Sequence, residues 1–329
     1  MKKAGWLSIL VATALLTVAV IANAQQPGKI LRIGLLDSSN ASGRAGLLAA
    51  FQQELNKLRW IEGKNITIEY RFAEGKSERL PELAADLVRL KVDLIVVAGT
   101  PSALAAKKAT TTIPIVMATG GDPVGAGLVA SLAQPGGNVT GFSSLGELNT
   151  KRLEILRDAV PKLSRVGLLR LSEGGISHEL QLKDLKPAAL ALKLKLEEIE
   201  TQPDAKGLAS AFQIAKQKQV NAMTLIPTGP FFAERKQIVE LAGQYRLPAI
   251  YPDKEFVDEG GLMSYGADST DLYRRTAVYV DKILKGAKPA DLPVQQAAKF
   301  EFVINLKAAK QIGLTLSPEF LSRANKVIK

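Results

Sequence analysis

Residues 99–143 decide the fold class, and their sequence is GTPSALAAKKATTTIPIVMATGGDPVGAGLVASLAQPGGNVTGFS. Within them, residues 113–118 form a continuous apolar run, and residues 93–98 form another just before them. Continuous runs of this kind are typical of parallel strands that helices cover on both faces. Between the two runs, residues 102–109 are rich in alanine and predict a helix with Pro101 in its first turn. This order predicts a doubly wound α/β sheet.

The same alternation of strand and helix extends in both directions from this stretch. Residues 30–36 predict a strand, and Leu48, Phe51 and Leu55 recur at helical spacing after it. After residue 142 the pattern begins again and predicts a second sheet. The predicted helices of this second half are residues 147–160, 179–192, 205–218 and 231–245, and its predicted strands are residues 165–169, 195–199, 221–226 and 247–250.

The length of 329 residues exceeds what one core usually organises, so we expect two domains. We predict two doubly wound lobes joined by a hinge, with chain crossings near residues 144, 266 and 295. Lobe 1 is predicted to contain residues 28–144 and about 267–295, and lobe 2 residues 145–266. Residues 296–329 hold a crossing and the C-terminal segment, and the sequence leaves their lobe open.

The N-terminus has the features of a secretory signal peptide. Lys2 and Lys3 precede an apolar run at residues 6–21, and small residues follow at positions 22–24. We predict a signal peptide over residues 1–24, cleavage after Ala24 and a periplasmic protein; the alternative is an uncleaved N-terminal anchor. The chain has no cysteine, so it forms no disulfide and carries no lipoprotein acyl anchor after the leader.

The formal charge of +11 falls to +9 when Lys2 and Lys3 leave with the predicted signal peptide, because 41 basic and 32 acidic residues remain. A basic protein could bind nucleic acid. However, the lysines are scattered along helix-like segments, and only 5% of the residues are aromatic. The sequence therefore lacks the clustered basic and aromatic residues on which nucleic-acid bases stack, and we predict no nucleic-acid partner.

The usual catalytic constellations are incomplete in this sequence. His178 is the single histidine, which excludes a histidine-rich metal site, and its polar surroundings predict a surface position. Ser143 lies in GFSSLG, which misses the G-x-S-x-G elbow by one position. Residues 125–130 match G-x-G-x-x-A, a pattern typical of dinucleotide sites or of glycines at a helix-packing contact, and their position favours the second. We predict no metal and no cofactor.

Polar side chains follow the predicted strands of both halves. Ligands of open α/β sheets bind beyond the carboxyl ends of the strands, which makes these side chains candidates. Thr100 and Ser102 could bind a carboxylate at a helix start, although Thr100 could equally cap that helix. Asp122 could bind an ammonium group or cap a helix, and we favour the cap. The predicted ligand-binding residues are Ser38, Ser39, Thr100, Ser102, Asp122, Ser143, Thr228, Tyr251 and Tyr265.

Several segments resemble the substrate-binding proteins of ABC transporters of the tryptophan or aromatic-amino-acid type. These segments are GTPSALAAKKATTTIPIVMA, GDPVGAGLVASLAQPGGNVTGFS, RLPAIY, EFVDEGGLMSYGAD and YVDKILKGAKPADLPV. The resemblance runs from about residue 30 to the end and implies a type I periplasmic binding fold. By position it implies that Thr100, Ser102, Asp122 and Tyr265 line the cleft. Residues 295–298 are QQAA, where relatives tend to have an acidic residue.

These observations together predict the solute-binding component of an ABC importer. It would hold a small molecule, an amino acid or an aromatic compound, between two lobes and pass it to a permease in the inner membrane. We predict a monomer without catalytic residues. Two alternatives remain: an exported α/β enzyme, and a sensing module that docks onto a membrane receptor.

Overall fold

The computed structural model describes residues 29–144 and 147–329. The predicted signal peptide and its cleavage site after Ala24 lie outside these residues. In the part of the chain that is described, no helix combines the length and the apolar composition needed to cross a membrane.

Strands and helices alternate along most of the chain. The strands are β1 (Leu31–Asp37), β2 (Ile66–Phe72), β3 (Leu94–Ala98), β4 (Ile115–Thr119), β5 (Val139–Ser143), β6 (Arg165–Leu171), β7 (Lys195–Thr201), β8 (Ala222–Leu225), β9 (Ile250–Tyr251), β10 (Met263–Ala267), β11 (Gln295–Gln296), β12 (Phe300–Asn305) and β13 (Lys326–Ile328). The helices are α1 (Ala41–Lys57), α2 (Leu80–Arg89), α3 (Thr100–Ala109), α4 (Glu147–Ala159), α5 (Gly175–Ala191), α6 (Ala205–Gln217), α7 (Gly229–Ala233), α8 (Arg235–Gln244), α9 (Lys254–Asp258), α10 (Ser269–Leu284), α11 (Leu306–Ile312) and α12 (Pro318–Ser322).

Lobe 1 is built on a six-stranded parallel sheet in the order β11-β5-β4-β3-β1-β2. Consecutive strand residues face opposite sides of a sheet. Val96 accordingly packs with Phe51 of α1 and Tyr273 of α10, whereas Ile95 packs with Leu87 of α2 on the other face. Burial on both faces explains why the strand sequences are continuously apolar.

Lobe 2 contains a parallel sheet β7-β6-β8 and a second sheet β13-β12-β10-β9. An isolated bridge between Met223 and Ala249 connects the two sheets. The predicted α/β class with two lobes is therefore confirmed. One strand departs from the predicted parallel arrangement, because β12 runs antiparallel to β10. Residues 296–329, whose lobe the sequence left open, contribute β12 and β13 to this second sheet.

The chain passes between the lobes three times. β5 belongs to the lobe 1 sheet, whereas α4 packs its Leu153 into the core of lobe 2. β10 belongs to lobe 2, but α10 and β11 after it pack against lobe 1, and β12 then returns to lobe 2. Because the strand ends of both lobes adjoin these crossings, the loops after the strands face each other across one cleft.

Gly141 tests the packing of the lobe 1 sheet. It lies in β5 opposite Met117 with φ of +124°, and a Cβ atom there would collide with the backbone of Met117. We expect Gly141→Ala to lower the free energy of unfolding by at least about 2 kcal/mol. Gly46→Ala, on the exposed face of α1 with nothing nearby, should instead raise it by about 0.5–1 kcal/mol. Guanidinium unfolding curves measure both, and an unchanged Gly141→Ala midpoint would contradict this packing.

Candidate ligand-binding site

A cavity of about 430 Å³ lies between the two lobes. This volume falls within the range of about 300–1,000 Å³ that is usual for small-molecule sites. Lobe 1 lines it with the loops after β1, β3 and β4 and with the start of α3. Lobe 2 lines it with α4, α5 and the loops after β8 and β9. The cavity therefore occupies the position at which open α/β sheets bind ligands.

The structure brings four of the predicted ligand-binding residues together in this cavity: Ser38, Thr100, Asp122 and Thr228. The first three come from lobe 1 and the fourth from lobe 2. Thr228 also caps α7, because its hydroxyl accepts a hydrogen bond from the Phe231 amide at 3.2 Å. Each follows the carboxyl end of a strand, β1, β3, β4 or β8, which is the feature that the sequence made visible.

The start of α3 lines the cavity and has no side-chain cap. Its N-cap is Gly99, with φ of +83°, so no side chain caps the first-turn amides. Thr100 is therefore the first helical residue rather than the cap, and its hydroxyl accepts a hydrogen bond from the Gly121 amide at 3.2 Å. An uncapped helix N-terminus with its positive dipole end is suited to an anionic group.

Asp122 stabilises the loop after β4. Its Oδ1 accepts hydrogen bonds from the amides of Val124 at 3.0 Å and Gly125 at 2.9 Å. Residues 125–130 do not form the helix-packing contact that we expected from G-x-G-x-x-A, because residues 123–127 are in turns and Gly127 has φ of +67°. Gly125 instead packs closely against Asp122 and faces Leu180 of lobe 2.

Three predicted serines lie outside the cavity lining. Ser39 and Ser102 are fully buried, and neither hydroxyl has a hydrogen-bond partner within residues 29–144 and 147–329. Ser143 is buried at the end of β5, where its carbonyl accepts a hydrogen bond from the Ala297 amide at 3.0 Å. Each of these serines is adjacent in sequence to a residue that does line the cavity. Adjacent side chains point in different directions, so the serine itself faces away from the cavity.

The two predicted tyrosines also lie outside the lining, in the core of lobe 2. Tyr251 is buried and stacks on Phe256 with ring centroids 4.8 Å apart, and burial raises the pKa of its hydroxyl. Tyr265 stacks on Phe300, and Gly266 beside it lines the cavity instead. The structure differs from the prediction here because the twofold alternation of a strand turns the Tyr265 side chain toward the core.

Arg44 and Phe232 line the cavity but were not identified from the sequence, since both lie on helices. Arg44 of α1 forms a buried ion pair with Asp37, Nε to Oδ2 at 2.9 Å. Its guanidinium carbon lies 3.9 Å from the centroid of the Phe232 ring, which belongs to the other lobe. Gly229 approaches Ser38 so closely that a Cβ atom on it would collide with the serine hydroxyl. These two contacts, called here the interlobe contact, show a closed cleft.

Arg152 of α4 adds a buried guanidinium to the cavity wall. Its Nη1 donates to the Tyr265 carbonyl at 2.9 Å and its Nη2 donates to Asn149 Oδ1. Burial lowers the pKa of Arg152 to about 10, although the charge of Asp253 opposes this shift. In the described part of the chain no carboxylate forms an ion pair with it, so the side chain is held by neutral acceptors.

Three carboxylates of lobe 2 line the cavity: Asp253 after β9, and Glu173 and Asp184, which are exposed. The one side-chain hydrogen bond to the Asp253 carboxylate within the described chain comes from Ser269 Oγ, at 3.4 Å, and Asp253 forms no ion pair there. Burial raises the pKa of Asp253, while the charges of Arg44 and Arg152 lower it. Burial, together with the charge of Asp253, also raises the pKa of Glu255 to about 7. The closed cavity therefore favours a proton or another cation at these carboxylates.

His178 is not at the surface, where its polar sequence neighbours had placed it. It is only 2% exposed, lies on α5 beside the cavity, and packs so closely on Gly174 that a Cβ atom there would collide with the imidazole. Burial and the charge of Arg170 lower its pKa to about 4, so the ring is neutral. Neither nitrogen has a hydrogen-bond partner among the described residues.

A family model described as ABC transporter substrate binding protein matches residues 38–328 of this chain. The chain is also similar to a tyrosine-binding protein from Clostridioides difficile (strain R20291). The two are 29% identical over 269 residues, which cover 80% of this chain and 75% of that protein.

Solved structures are similar over nearly the whole chain. A conserved domain protein from Vibrio cholerae is 28% identical, with a TM-score of 0.84, covering 91% of this chain and 100% of that one. The ABC domain from Streptococcus pneumoniae in complex with L-Trp is 28% identical, with a TM-score of 0.81, covering 90% and 100%. The ligand-free, open structure of a Clostridium difficile substrate-binding protein with adhesive properties is 25% identical, with a TM-score of 0.64, covering 91% and 99%.

The interlobe contact predicts that a methyl group at Gly229 prevents closure. Under conditions in which the wild type is closed, we expect solution X-ray scattering to give a larger radius of gyration for Gly229→Ala than for the wild type, because the new Cβ atom meets Ser38 only when the lobes are together. Gly243→Ala, at an ordinary contact in α8, is the matched control and should match the wild type. Adding Ser38→Gly to Gly229→Ala should restore part of the compact form. Identical scattering from Gly229→Ala and the wild type would contradict the closed geometry.

Proposed function

This chain belongs to the ABC transporter substrate-binding protein family, and from that membership we propose that it captures a free aromatic amino acid in the cavity between its lobes. The observation that carries the proposal is the pairing of Asp253 on lobe 2 with the uncapped start of α3 on lobe 1. A zwitterion complements both at once. The relatives described above include a tyrosine-binding protein and a substrate-binding protein, and capture requires no covalent chemistry.

The α-ammonium group of the ligand pairs with Asp253 in this proposal. Asp253 lacks an ion pair in the described chain, and a buried carboxylate is costly unless a cation or hydrogen-bond donors compensate it. The α-carboxylate lies at the uncapped start of α3, where the positive end of the helix dipole and the Thr100 hydroxyl favour an anion. Arg152 adds positive charge to the same wall.

The side chain of the ligand lies among apolar residues in this proposal. Leu104 of lobe 1 and Leu148, Leu171 and Leu180 of lobe 2 line the cavity beside its polar groups. A large apolar side chain is therefore accommodated, and small or charged ones leave these leucines without a partner. The relatives named for tyrosine and bound to L-Trp support an aromatic ligand.

Closure couples capture to transport. A ligand that touches both lobes binds the closed form more tightly than the open one and so shifts the hinge equilibrium toward closure. The interlobe contact, with Arg44 on Phe232, then adds to the stability of that closed form. A permease that recognises the closed shape receives only loaded protein.

The location and partners follow from the family and the sequence. Substrate-binding proteins of this family work outside the cytoplasm. We infer that the leader over residues 1–24 directs this one to the periplasm, where it acts as a monomer and delivers its ligand to an inner-membrane permease. Membership of the ABC transporter substrate-binding family supports delivery to a permease.

Isothermal titration of ligand-stripped protein with L-tryptophan, L-tyrosine, L-leucine and L-aspartate tests the proposal. We expect binding of the aromatic amino acids. Asp253→Asn should weaken it by at least about tenfold, since it removes a charged partner of the ammonium group. Asp291→Asn, which removes an exposed carboxylate outside the cavity, is the control and should leave affinity unchanged. Absence of binding by all four amino acids would contradict the proposal.

The raised pKa of Asp253 predicts that binding releases a proton. Burial in the empty closed cavity raises the pKa of the Asp253 carboxyl, whereas an ammonium group favours the ionised form and lowers that pKa again. Affinity should therefore rise with pH across the range in which the Asp253 carboxyl of the empty protein loses its proton, because its pKa is raised. Calorimetric titrations in buffers of different ionisation enthalpy measure how many protons are released on binding. Asp253→Asn should reduce that number. Proton uptake, or weaker binding at higher pH, would contradict the assignment.

A further inference from the structure

The one histidine of the chain lies beside the cavity without a hydrogen-bond partner. His178 is buried on α5, and both Nδ1 and Nε2 are unpaired within residues 29–144 and 147–329. Leaving a polar group unpaired in a protein interior is costly, so such groups call for a specific explanation. A leucine or phenylalanine at this position would avoid that cost. We therefore expect the ligand to supply the missing hydrogen-bond partner of His178.

The polar neighbours of His178 are already paired among themselves. Asn149 donates to Gln181 Oε1 at 3.1 Å, and Gln181 in turn donates to the Ser177 carbonyl at 3.2 Å. Arg152 donates to the Tyr265 carbonyl. Among the described residues that line the cavity, His178 is a buried side chain whose two polar atoms both lack a hydrogen bond.

A neutral imidazole can form a hydrogen bond with a polar group on the aromatic ring of a ligand. It carries one N–H donor and one nitrogen acceptor, so it can accept a hydrogen bond from a phenol O–H or an indole N–H. The leucines that line the cavity, Leu148, Leu171 and Leu180, leave the faces of an aromatic ring in apolar surroundings. A benzyl side chain would fill the same space but would leave the imidazole unpaired.

We propose that His178 determines specificity within the proposed function by accepting a hydrogen bond from the aromatic side chain, and that the protein therefore prefers tyrosine or tryptophan to phenylalanine. The inference rests on the proposed capture of an aromatic amino acid. In the empty cavity the imidazole packs on Gly174 and its nitrogens are covered, so pairing requires the ring to turn about its Cβ–Cγ bond. Because residue 174 is glycine, no Cβ atom blocks the imidazole at that contact.

Titration with L-tyrosine and L-phenylalanine, which differ by one hydroxyl group, isolates this contact. We expect the wild type to bind L-tyrosine at least about tenfold more tightly than L-phenylalanine, the size expected for one buried hydrogen bond. His178→Leu should bring the two affinities to within about twofold of each other by weakening L-tyrosine binding. Glu179→Gln, at the exposed position next to it, should keep the tenfold preference.

A second measurement on the wild type does not depend on the folding of a variant. Because the chain has a single histidine, protein labelled with 15N-histidine and freed of any affinity tag gives the imidazole signals of His178 alone. We expect L-tyrosine to shift the signal of the accepting nitrogen and L-phenylalanine to shift it much less, since only the first supplies a donor.

The outcomes separate the inference from the function on which it rests. If the wild type binds neither amino acid, the proposed function fails and the role of His178 fails with it. If it binds both with equal affinity, or if a folded His178→Leu variant keeps the preference for L-tyrosine, the role of His178 is refuted and the proposed function stands. Equal imidazole shifts with both amino acids would also refute it.

Discussion

Asp253 places a carboxylate in a cavity that closure takes out of water. The charges of Arg44 and Arg152 act on it from a distance, yet it forms no ion pair in the described part of the chain. Withdrawing an unpaired charge from water is expensive, so burial raises the pKa of this carboxyl and favours a proton or another cation there. An ammonium group supplies that cation. The same residue therefore makes the empty closed form costly and the loaded closed form favourable, which is the property that a binding protein needs.

Much of the fold could be predicted from the sequence, because helices that cover both faces of a parallel sheet leave a direct trace in it. Continuous apolar runs predicted β3 and β4. The polar residues after such strands predicted the lobe 1 side of the cavity, where Thr100 and Asp122 lie. The antiparallel direction of β12 was not predicted, since direction depends on a pairing with β10 that no local pattern encodes.

The rest of the site depends on which way side chains point and on contacts between lobes. Tyr265 has the chemistry of a ligand residue, but the alternation of its strand turns it into the core. Arg44 and Phe232 lie on helices and meet only when the lobes close, so neither strand ends nor motifs indicate them. His178 has polar sequence neighbours and is nevertheless buried, because Gly174 leaves room for its imidazole. Each of these positions is decided by tertiary contacts.

A crystal structure of the protein with an aromatic amino acid bound tests the central claim most directly. The account predicts a closed form in which the ligand's ammonium group lies within hydrogen-bond distance of Asp253 and its carboxylate at the start of α3, beside Thr100. An amino acid bound with its carboxylate toward Asp253, or bound outside the interlobe cavity, would contradict it.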